Sequence, residues 1–207
     1  MLLCAGATPI ASVNNSYVLD KNSKNGLLLA SIKYEILFSG YQVYFQGIDN
    51  KLEAYFEAGS RMGVILISRK SDFPDGKGQL QVVELPAGEY EINRWRVDSR
   101  SAKLSTTQPF SIKFEIEPGE VRYIGSFTFS ATKGSSLDAT AVTVNYKDDY
   151  FADVTALRNN YPNLERSEIF MGLPSGLVKS ELGGESSIYW APIVVMPVVN
   201  CMACKEA

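Results

Sequence analysis

The strongest constraint on the fold is a two-residue rhythm that runs through residues 110–116 and resumes at 121–129. In the first run (FSIKFEI) four apolar residues alternate with polar ones, which places the apolar side chains on one face of an extended chain. The EPGE sequence between the runs has a proline, which fixes φ, and a glycine, which tolerates positive φ. We interpret the two runs as half-buried strands joined in a β-hairpin.

A second strand signal lies at residues 85–92 (LPAGEYEI), where a Pro-Ala-Gly turn separates two alternating runs. After Ile92 the next buried candidate is Trp95, three positions on instead of two. This odd spacing shifts the buried phase by one residue. It therefore predicts a β-bulge near Asn93 and Arg94.

Further β-prone segments follow one another at short intervals and are separated by turn-forming residues. They lie at residues 27–38, 41–46, 52–57, 64–68, 79–85 and 142–146. Short strands at this spacing are typical of all-β sandwiches and barrels. We predict an all-β fold, namely an antiparallel β-sandwich of immunoglobulin or transthyretin-like type.

The period changes after residue 147, where apolar residues fall near helical spacing. These residues are Phe151, Val154, Ala156 or Leu157, and Tyr161. Asp148 and Asp149 suit the N-cap and the first turn, and Pro162 suits the end. We predict one short amphipathic C-terminal helix whose apolar stripe packs on the sandwich.

The organisation of the chain follows from these signals. We predict a leader remnant and polar lead-in at 1–25, a β-sandwich domain with its terminal helix at 26–164, and an irregular C-terminal extension at 165–207. Residues 188–199 are the most apolar stretch, but two prolines and a length of about 12 residues argue against a membrane span. We interpret them as an edge strand or a docked arm, with a sticky peptide exposed for a partner as the alternative.

The N-terminal sequence MLLCAGATPIA resembles the end of a secretory signal, although no basic residue precedes its apolar part. Cys4 suggests lipidation, yet Leu3 stands where a lipobox has a small residue. The other interpretation is a buried or cleaved hydrophobic leader.

The remaining cysteines, Cys201 and Cys204, form a CMAC sequence near the C-terminus. If the leader is removed, the cysteine count becomes even, which suits a disulfide in an oxidising compartment. A redox role is the alternative, but such motifs begin a helix inside a βαβ unit, and this sequence context differs. A single CxxC also falls short of four zinc ligands.

The sequence contains no histidine, so Ser-His-Asp and Cys-His arrangements are excluded. Carboxylate pairs remain as candidate catalytic groups: Asp72 with Asp75, and Asp148 with Asp149 and Asp153. We interpret the first pair as turn residues and the second set as helix caps. Calcium binding by Asp72 and Asp75 lacks the DxDxDG pattern. We therefore predict no catalytic residues, no metal site and no cofactor.

Aromatic residues offer a third kind of site. Five of them suit a platform on which sugars stack: Tyr41, Tyr44, Tyr55, Trp95 and Trp190. The competing interpretation places these strand aromatics in the core. Nucleic-acid binding is not expected, because the net charge is −3 and the chain has no block of basic residues.

Three motifs together resemble a family of bacterial envelope lipoproteins of unknown function, whose members look like small β-sandwich domains. The motifs are an LPxGxY turn, an FxVxPGExxYxG unit and a late helix with D…Pro-x-Leu. Here they correspond to Leu85, Pro86, Gly88 and Tyr90; to Phe114, Ile116 in place of the valine, Pro118, Gly119, Glu120, Tyr123 and Gly125; and to Asp153, Pro162 and Leu164. The resemblance spans about residues 26–164 and implies an envelope address, without supplying catalytic residues.

The sequence thus predicts a noncatalytic binding or structural module of the bacterial cell envelope, exported to the periplasm or outer membrane. The expected partner is an unidentified envelope protein or glycan, and membrane contact is expected only through a lipid on Cys4. Two alternatives stay open. One is a carbohydrate-binding module with an exposed row of aromatic rings, and the other is a hydrolase with two facing carboxylates.

Overall fold

The computed structural model describes residues 7–35, 40–59, 70–98, 102–134 and 140–190. Within these ranges two β-sheets pack face to face around an apolar core. The predicted all-β sandwich with a short helix is therefore confirmed. The predicted strand at 64–68, most of the apolar stretch 188–199 and the three cysteines, Cys4, Cys201 and Cys204, lie outside the described residues.

The front sheet has seven strands among the described residues, in the order β1-β4-β3-β6-β7-β13, with β8 also paired to β6. Their bounds are β1 Thr8–Pro9, β3 Gly40–Gly47, β4 Glu53–Ala58, β6 Gly88–Asp98, β7 Ala102–Ser105, β8 Ile112–Ile116 and β13 Ser187–Trp190.

The back sheet has six strands in the same described ranges, in the order β12-β10-β9-β2-β5, with β11 also paired to β9. Their bounds are β2 Asn25–Tyr34, β5 Gly78–Pro86, β9 Val121–Lys133, β10 Ala141–Lys147, β11 Ile169–Met171 and β12 Val178–Lys179. Helix α1 spans Tyr150–Asn160, and a short 3-10 turn follows at Pro162–Leu164.

The predicted hairpin at the EPGE turn is wrong. Strand β8 pairs with β6 in the front sheet, whereas β9 pairs with β2 in the back sheet, so the turn carries the chain from one sheet to the other. Gly119, with φ of +68°, makes this turn, and its N–H donates to the carbonyl of Asn25 at 2.8 Å. Alternation specifies which face of a strand is buried, but it does not specify the neighbouring strand.

The sheets are mixed rather than purely antiparallel as predicted. Strand β9 enters the back sheet beside the start of β2, where the N–H of Leu27 donates to the carbonyl of Glu120 at 2.8 Å. Both strands then run in the same direction, and β1 with β4 and β9 with β11 also pair in parallel. The crossing turn thus fixes the parallel arrangement, because it delivers β9 at the end where β2 begins.

Aromatic rings fill the space between the sheets. Tyr34 of the back sheet stacks on Tyr41 of the front sheet, with ring centroids 4.3 Å apart, and Trp95 meets Phe129 edge to face at 5.9 Å. The largest fully buried side chains in this space include Trp95, Tyr41, Tyr90, Tyr146, Phe45, Phe56, Phe127 and Phe129. Packing of large rings between two pleated faces is a major apolar contribution to the stability of such a fold.

The predicted bulge is confirmed. Tyr44 pairs with Arg94 and the next residue, Phe45, pairs with Ile92, so that Asn93 is the extra residue on β6. The bulge restores the inward phase at Trp95, which is fully buried. It also leaves Asn93 and Arg94 next to each other outside the core.

The segment before β2 closes one side of the sandwich. The N–H of Ile10 donates to the carbonyl of Tyr55 in the front sheet, and the N–H of Val13 donates to the carbonyl of Val82 in the back sheet. Part of the predicted polar lead-in therefore contacts both sheets. In the predicted irregular extension, three short strands, β11, β12 and β13, likewise join the two sheets.

Two buried glutamines bond to the backbone at the end of β4. Gln79 Oε1 accepts from the N–H of Gly59 at 3.0 Å, and Gln81 Nε2 donates to the carbonyl of Glu57 at 3.2 Å. Both side chains come from β5 of the other sheet and are almost fully buried. Side-chain amides thus satisfy backbone groups for which the described residues supply no strand partner.

Helix α1 covers the outer face of the back sheet, as its apolar stripe predicts. Val154, Ala156 and Leu157 are buried, but Phe151, which was expected in the stripe, is 86% exposed. Asp153 takes the buried position instead. In the parts of the chain that the structure describes, no helix has both the length and the apolar character required to cross a bilayer.

Candidate functional site

The acidic residues at the start of α1 are engaged with the protein itself. Asp148 accepts from the N–H groups of Tyr150 and Gly176, at 3.0 and 2.8 Å. Asp149 occupies the N-cap position, but its side chain makes no capping hydrogen bond. Its carboxylate instead contacts the ammonium groups of Lys33 and Lys147, so the capping interpretation holds for its position and not for its side chain.

Asp153 lies at the centre of a buried network between α1 and the back sheet. Its Oδ2 accepts hydrogen bonds from Ser31 Oγ at 2.7 Å and from Tyr123 Oη at 3.0 Å. Its Oδ1 lies 2.9 Å from Lys33 Nζ. The Tyr123 oxygen also accepts from the N–H of Asp149 at 2.9 Å. One hydroxyl therefore fixes both the N-terminus of the helix and the acid in its first turn.

The two acids of this network have opposite pKa shifts. Burial raises the pKa of Asp153, and the neighbouring Lys33 charge and the hydrogen bonds oppose that shift without cancelling it. Burial also acts upward on Asp149, but hydrogen bonding and charge from Lys33 and Lys147 outweigh it and lower its pKa. These contacts hold α1 to the back sheet. The two carboxylates do not face each other across an open cleft, as the pair of a glycosidase would.

The other predicted acidic pair is divided between two environments. Asp72 Oδ2 accepts from the N–H of Leu80 at 2.8 Å, and its Oδ1 accepts from Asn160 Nδ2 at 3.3 Å, whereas Asp75 is exposed. Burial raises the pKa of Asp72. The turn interpretation therefore fits Asp72. Among the described residues, no three acidic or cysteine side chains are grouped as metal ligands.

The core interpretation holds for two of the five aromatic residues that suit a sugar platform. Tyr41 and Trp95 are fully buried between the sheets, and Trp95 Nε1 donates to the carbonyl of Leu182 at 2.6 Å. The side chain of Trp190 lies outside the described part of the chain. Tyr44 and Tyr55 are different, because they lie on the outer face of the front sheet with ring centroids 4.9 Å apart.

The outer face of the front sheet carries a stack built on Tyr44. The guanidinium carbon of Arg94 lies 4.1 Å from the Tyr44 ring centroid, and that of Arg96 lies 5.8 Å away. A guanidinium over an aromatic face is attracted by the ring quadrupole. Tyr44 is only 6% exposed, whereas Arg94, which lies on its ring, is exposed.

Hydrogen bonds hold Tyr44 in place from the side. Tyr44 Oη donates to Gln42 Oε1 at 2.7 Å, and Gln42 Nε2 lies 3.3 Å from a Glu57 oxygen and 3.4 Å from an Asp98 oxygen. Arg96 meets Asp98 through two nitrogen–oxygen contacts of 3.0 Å each. Burial raises the pKa of the Tyr44 hydroxyl against the opposing charges of Arg96 and Arg94. This network of hydrogen bonds and ion pairs holds the Tyr44 ring in place beneath Arg94.

A groove of about 530 Å³ opens beside this stack, and we name it the bulge groove. Its lining residues are Ala7, Tyr44, Phe45, Gln46, Glu53, Asn93, Arg94, Thr106, Thr107, Gln108, Pro109 and Phe110. Most of them carry amide, hydroxyl or charged groups. The groove was not predicted from the sequence, but the spacing that predicts the bulge at Asn93 and Arg94 is the signal that leads to it.

A second groove, of about 500 Å³, follows the N-terminal segment along the sandwich edge. Its lining includes Asp72, Gln79 and Gln81, which already bond to Leu80, Gly59 and Glu57. These polar groups therefore serve the closure of the sandwich. The bulge groove is the better candidate for binding, because the exposed guanidinium of Arg94 lies at its wall.

Comparisons with known proteins give no further guide to this site. No protein-family model matches the chain, and neither the curated proteins nor the solved structures contain a match. The function is therefore inferred from the chemistry of the bulge groove.

Proposed function

We propose that the protein is a noncatalytic binding module of the bacterial cell envelope and that the bulge groove is its binding site. The observation that carries this proposal is the position of Arg94. The bulge on β6 places its guanidinium over the ring of Tyr44, and the residue is exposed at the wall of a polar groove. Bulges often turn a side chain toward a functional surface in this way.

The chemistry of the groove favours recognition over catalysis. Its polar lining consists of amides, hydroxyls, one guanidinium and one carboxylate, which together donate and accept hydrogen bonds. The acid with the deepest burial, Asp153, lies on the opposite side of the sandwich and holds α1. The two carboxyl groups with raised pKa values, Asp72 and Asp153, thus support the fold. The groove carries groups suited to orienting a ligand.

The groove is also held ready for a ligand. Tyr44, Gln42 and Asp98 are linked by hydrogen bonds, and the strands that carry them lie in the interior of the front sheet. A site built on strands and fixed by neighbouring hydrogen bonds loses little conformational entropy on binding. Such a site suits a module that binds without a large change of shape.

The envelope address is supported by two sequence features. The strand motifs resemble those of envelope lipoproteins, and the first eleven residues resemble the end of a secretory signal. We propose export to the periplasm or outer membrane on this basis. The mature N-terminus, measured by intact mass of protein from the native host, tests this part separately, and a chain that retains Met1 would contradict it.

The binding function is tested with an array of neutral glycans, acidic glycans and peptides, using the full chain. We expect at least one ligand to bind and to lose about tenfold or more in affinity in the Arg94→Ala variant, which corresponds to about 1.4 kcal/mol. Arg122→Ala is the matched control, because Arg122 lies on the back sheet and pairs with Glu120. Binding that is equal in both variants, or no binding across the array, would overturn the proposal.

A further inference from the structure

We infer that the bulge groove binds a glycan with a carboxylate group, such as a chain containing hexuronic acid units. This inference rests on the proposed binding function and names the chemistry of its ligand. It also moves the carbohydrate-binding alternative from the predicted aromatic row to a different set of residues. Three features of the groove lead to it: a guanidinium with no carboxylate partner in the described ranges, a mixed set of donors and acceptors, and one aromatic wall.

Arg94 differs from other arginines of the front and back sheets in having no carboxylate partner among the described residues. Arg96 pairs with Asp98, and Arg122 pairs with Glu120. Arg94 instead lies with its guanidinium over the Tyr44 ring. A stacked guanidinium keeps the edge of its planar fork available, and that fork matches a carboxylate through two parallel hydrogen bonds.

The rest of the lining requires more from the ligand than negative charge. Glu53 can only accept hydrogen bonds, whereas Asn93, Gln108 and Thr106 can both donate and accept. A carboxylate alone would make no use of these groups. A sugar acid offers the carboxylate to Arg94 and several hydroxyl groups to the remaining side chains, and an acidic peptide side chain offers no such hydroxyls.

Phe110 supplies an apolar wall to the groove. Its ring is half-buried and lies against Gly183, where a Cβ would come within 2.8 Å of the ring. The absence of a side chain at Gly183 therefore leaves room for the ring at this place. An aromatic face beside polar groups suits a sugar ring, whose C–H face is apolar and whose edge carries hydroxyls. The groove volume of about 530 Å³ lies within the range of about 300–1,000 Å³ for small-ligand sites.

The experiment compares an acidic glycan with its methyl ester, which differs only in the carboxylate, and with other acidic ligands. Oligogalacturonate, its fully methyl-esterified form and poly-L-glutamate are titrated into the full chain by calorimetry, with alginate and sialyl oligosaccharides as further acidic glycans. We expect an acidic glycan to bind. Its methyl ester should bind at least about tenfold more weakly, because esterification removes the charge and one acceptor. Added salt should weaken the acidic interaction, because Arg94 is exposed.

Variants assign the effect to the groove. Arg94→Gln should abolish the preference for the acid over its ester, and Arg94→Lys should keep part of it, since lysine retains the charge without the fork. Arg122→Gln, with the same change in net charge, should bind like the natural protein. Equal binding of acid and ester would overturn the carboxylate inference and leave the binding function in place.

The remaining outcomes are also decisive. Stronger binding of poly-L-glutamate than of every acidic glycan would show that the ligand is an acidic peptide, which overturns this inference alone. Binding of a neutral glycan that depends on Arg94 would also overturn this inference alone, because the ligand would carry no carboxylate. Absence of binding to all of these and to the wider array would overturn both this inference and the proposed function.

Discussion

The outer faces of the two sheets both carry polar networks organised around a tyrosine, but the networks differ in burial. On the back sheet, Tyr123 is fully buried beneath α1 and bonds to Asp153 and to the N–H of Asp149. On the front sheet, Tyr44 bonds to Gln42 and carries Arg94 on its ring, beside an open groove.

This difference in burial determines whether a polar network stabilises the fold or remains available to bind a ligand. A buried charge pair is tightly coupled to the fold, because removing one member leaves the other uncompensated in a medium of low polarity. An exposed guanidinium contributes little to stability, and its hydrogen-bonding groups remain available to a ligand. We therefore expect substitutions in the back network to change folding and substitutions in the front network to change binding.

The largest effect is expected for Lys33→Met. The side chain of Lys33 is 18% exposed and compensates Asp153, which is fully buried, as well as Asp149. Its removal should lower the free energy of unfolding by about 3 kcal/mol, as is typical of a broken buried pair. Urea unfolding measures this loss.

Lys133→Met is the matched control, since the Lys133 side chain is 67% exposed and its partner Glu185 is 44% exposed. Its effect should stay below about 1 kcal/mol. Similar losses in the two variants would break the proposed distinction between a buried anchor and a solvated pair.

The second prediction concerns the pH dependence of two neighbouring acids. The pKa of Asp149 is lowered from its ordinary value of 3.8, so its contribution to stability is complete above 3.8 and is lost as pH falls through the folded value. The pKa of Asp153 is raised from 3.8, so its contribution is complete below 3.8 and is lost as pH rises through the folded value.

The pair Asp149→Asn and Asp153→Asn should therefore show opposite trends. Relative to the natural protein, Asp149→Asn should be more destabilised at about pH 6 than at about pH 3, and Asp153→Asn should be more destabilised at about pH 3. Urea unfolding at several pH values measures both trends. Parallel trends in the two variants would contradict the opposite pKa shifts.

The smallest effect on stability is expected for Arg94→Ala. Arg94 is exposed and its main contact is the stack on Tyr44, so the loss should stay below about 1 kcal/mol. Thermal and urea unfolding provide the measurement, and Arg158→Ala on the exposed side of α1 is the control. A loss above about 2 kcal/mol would show that Arg94 supports the fold and would weaken its assignment to ligand binding.

The sequence predicts local features of this fold better than the pairing of its strands. Alternation at Phe114 and the odd spacing before Trp95 correctly predict the strands, their buried faces and the bulge. Alternation is a property of one strand, and a tight turn such as the one at Gly119 fits a hairpin or a crossing between sheets. The parallel partner of β9 was therefore not predictable from the EPGE turn alone.

The candidate site was predicted only in part for a related reason. The bulge follows from neighbours in the sequence, but the ring under Arg94 belongs to Tyr44, fifty residues earlier in the chain. The buried network also joins residues that are far apart in the sequence, since Ser31 and Asp153 are separated by 122 positions. A local clue did exist, because Asp153 lies next to Val154 on the helix face that the apolar spacing buries.

The two glutamines of β5 have a consequence for the behaviour of the protein at high concentration. An open strand edge is a template on which a second molecule can add its own strand, and repeated addition leads to fibrils. Gln79 and Gln81 occupy backbone groups at Gly59 and Glu57 with their amides, so that this template is interrupted from within the molecule. The interior of one sheet thereby protects the border of the other against self-association.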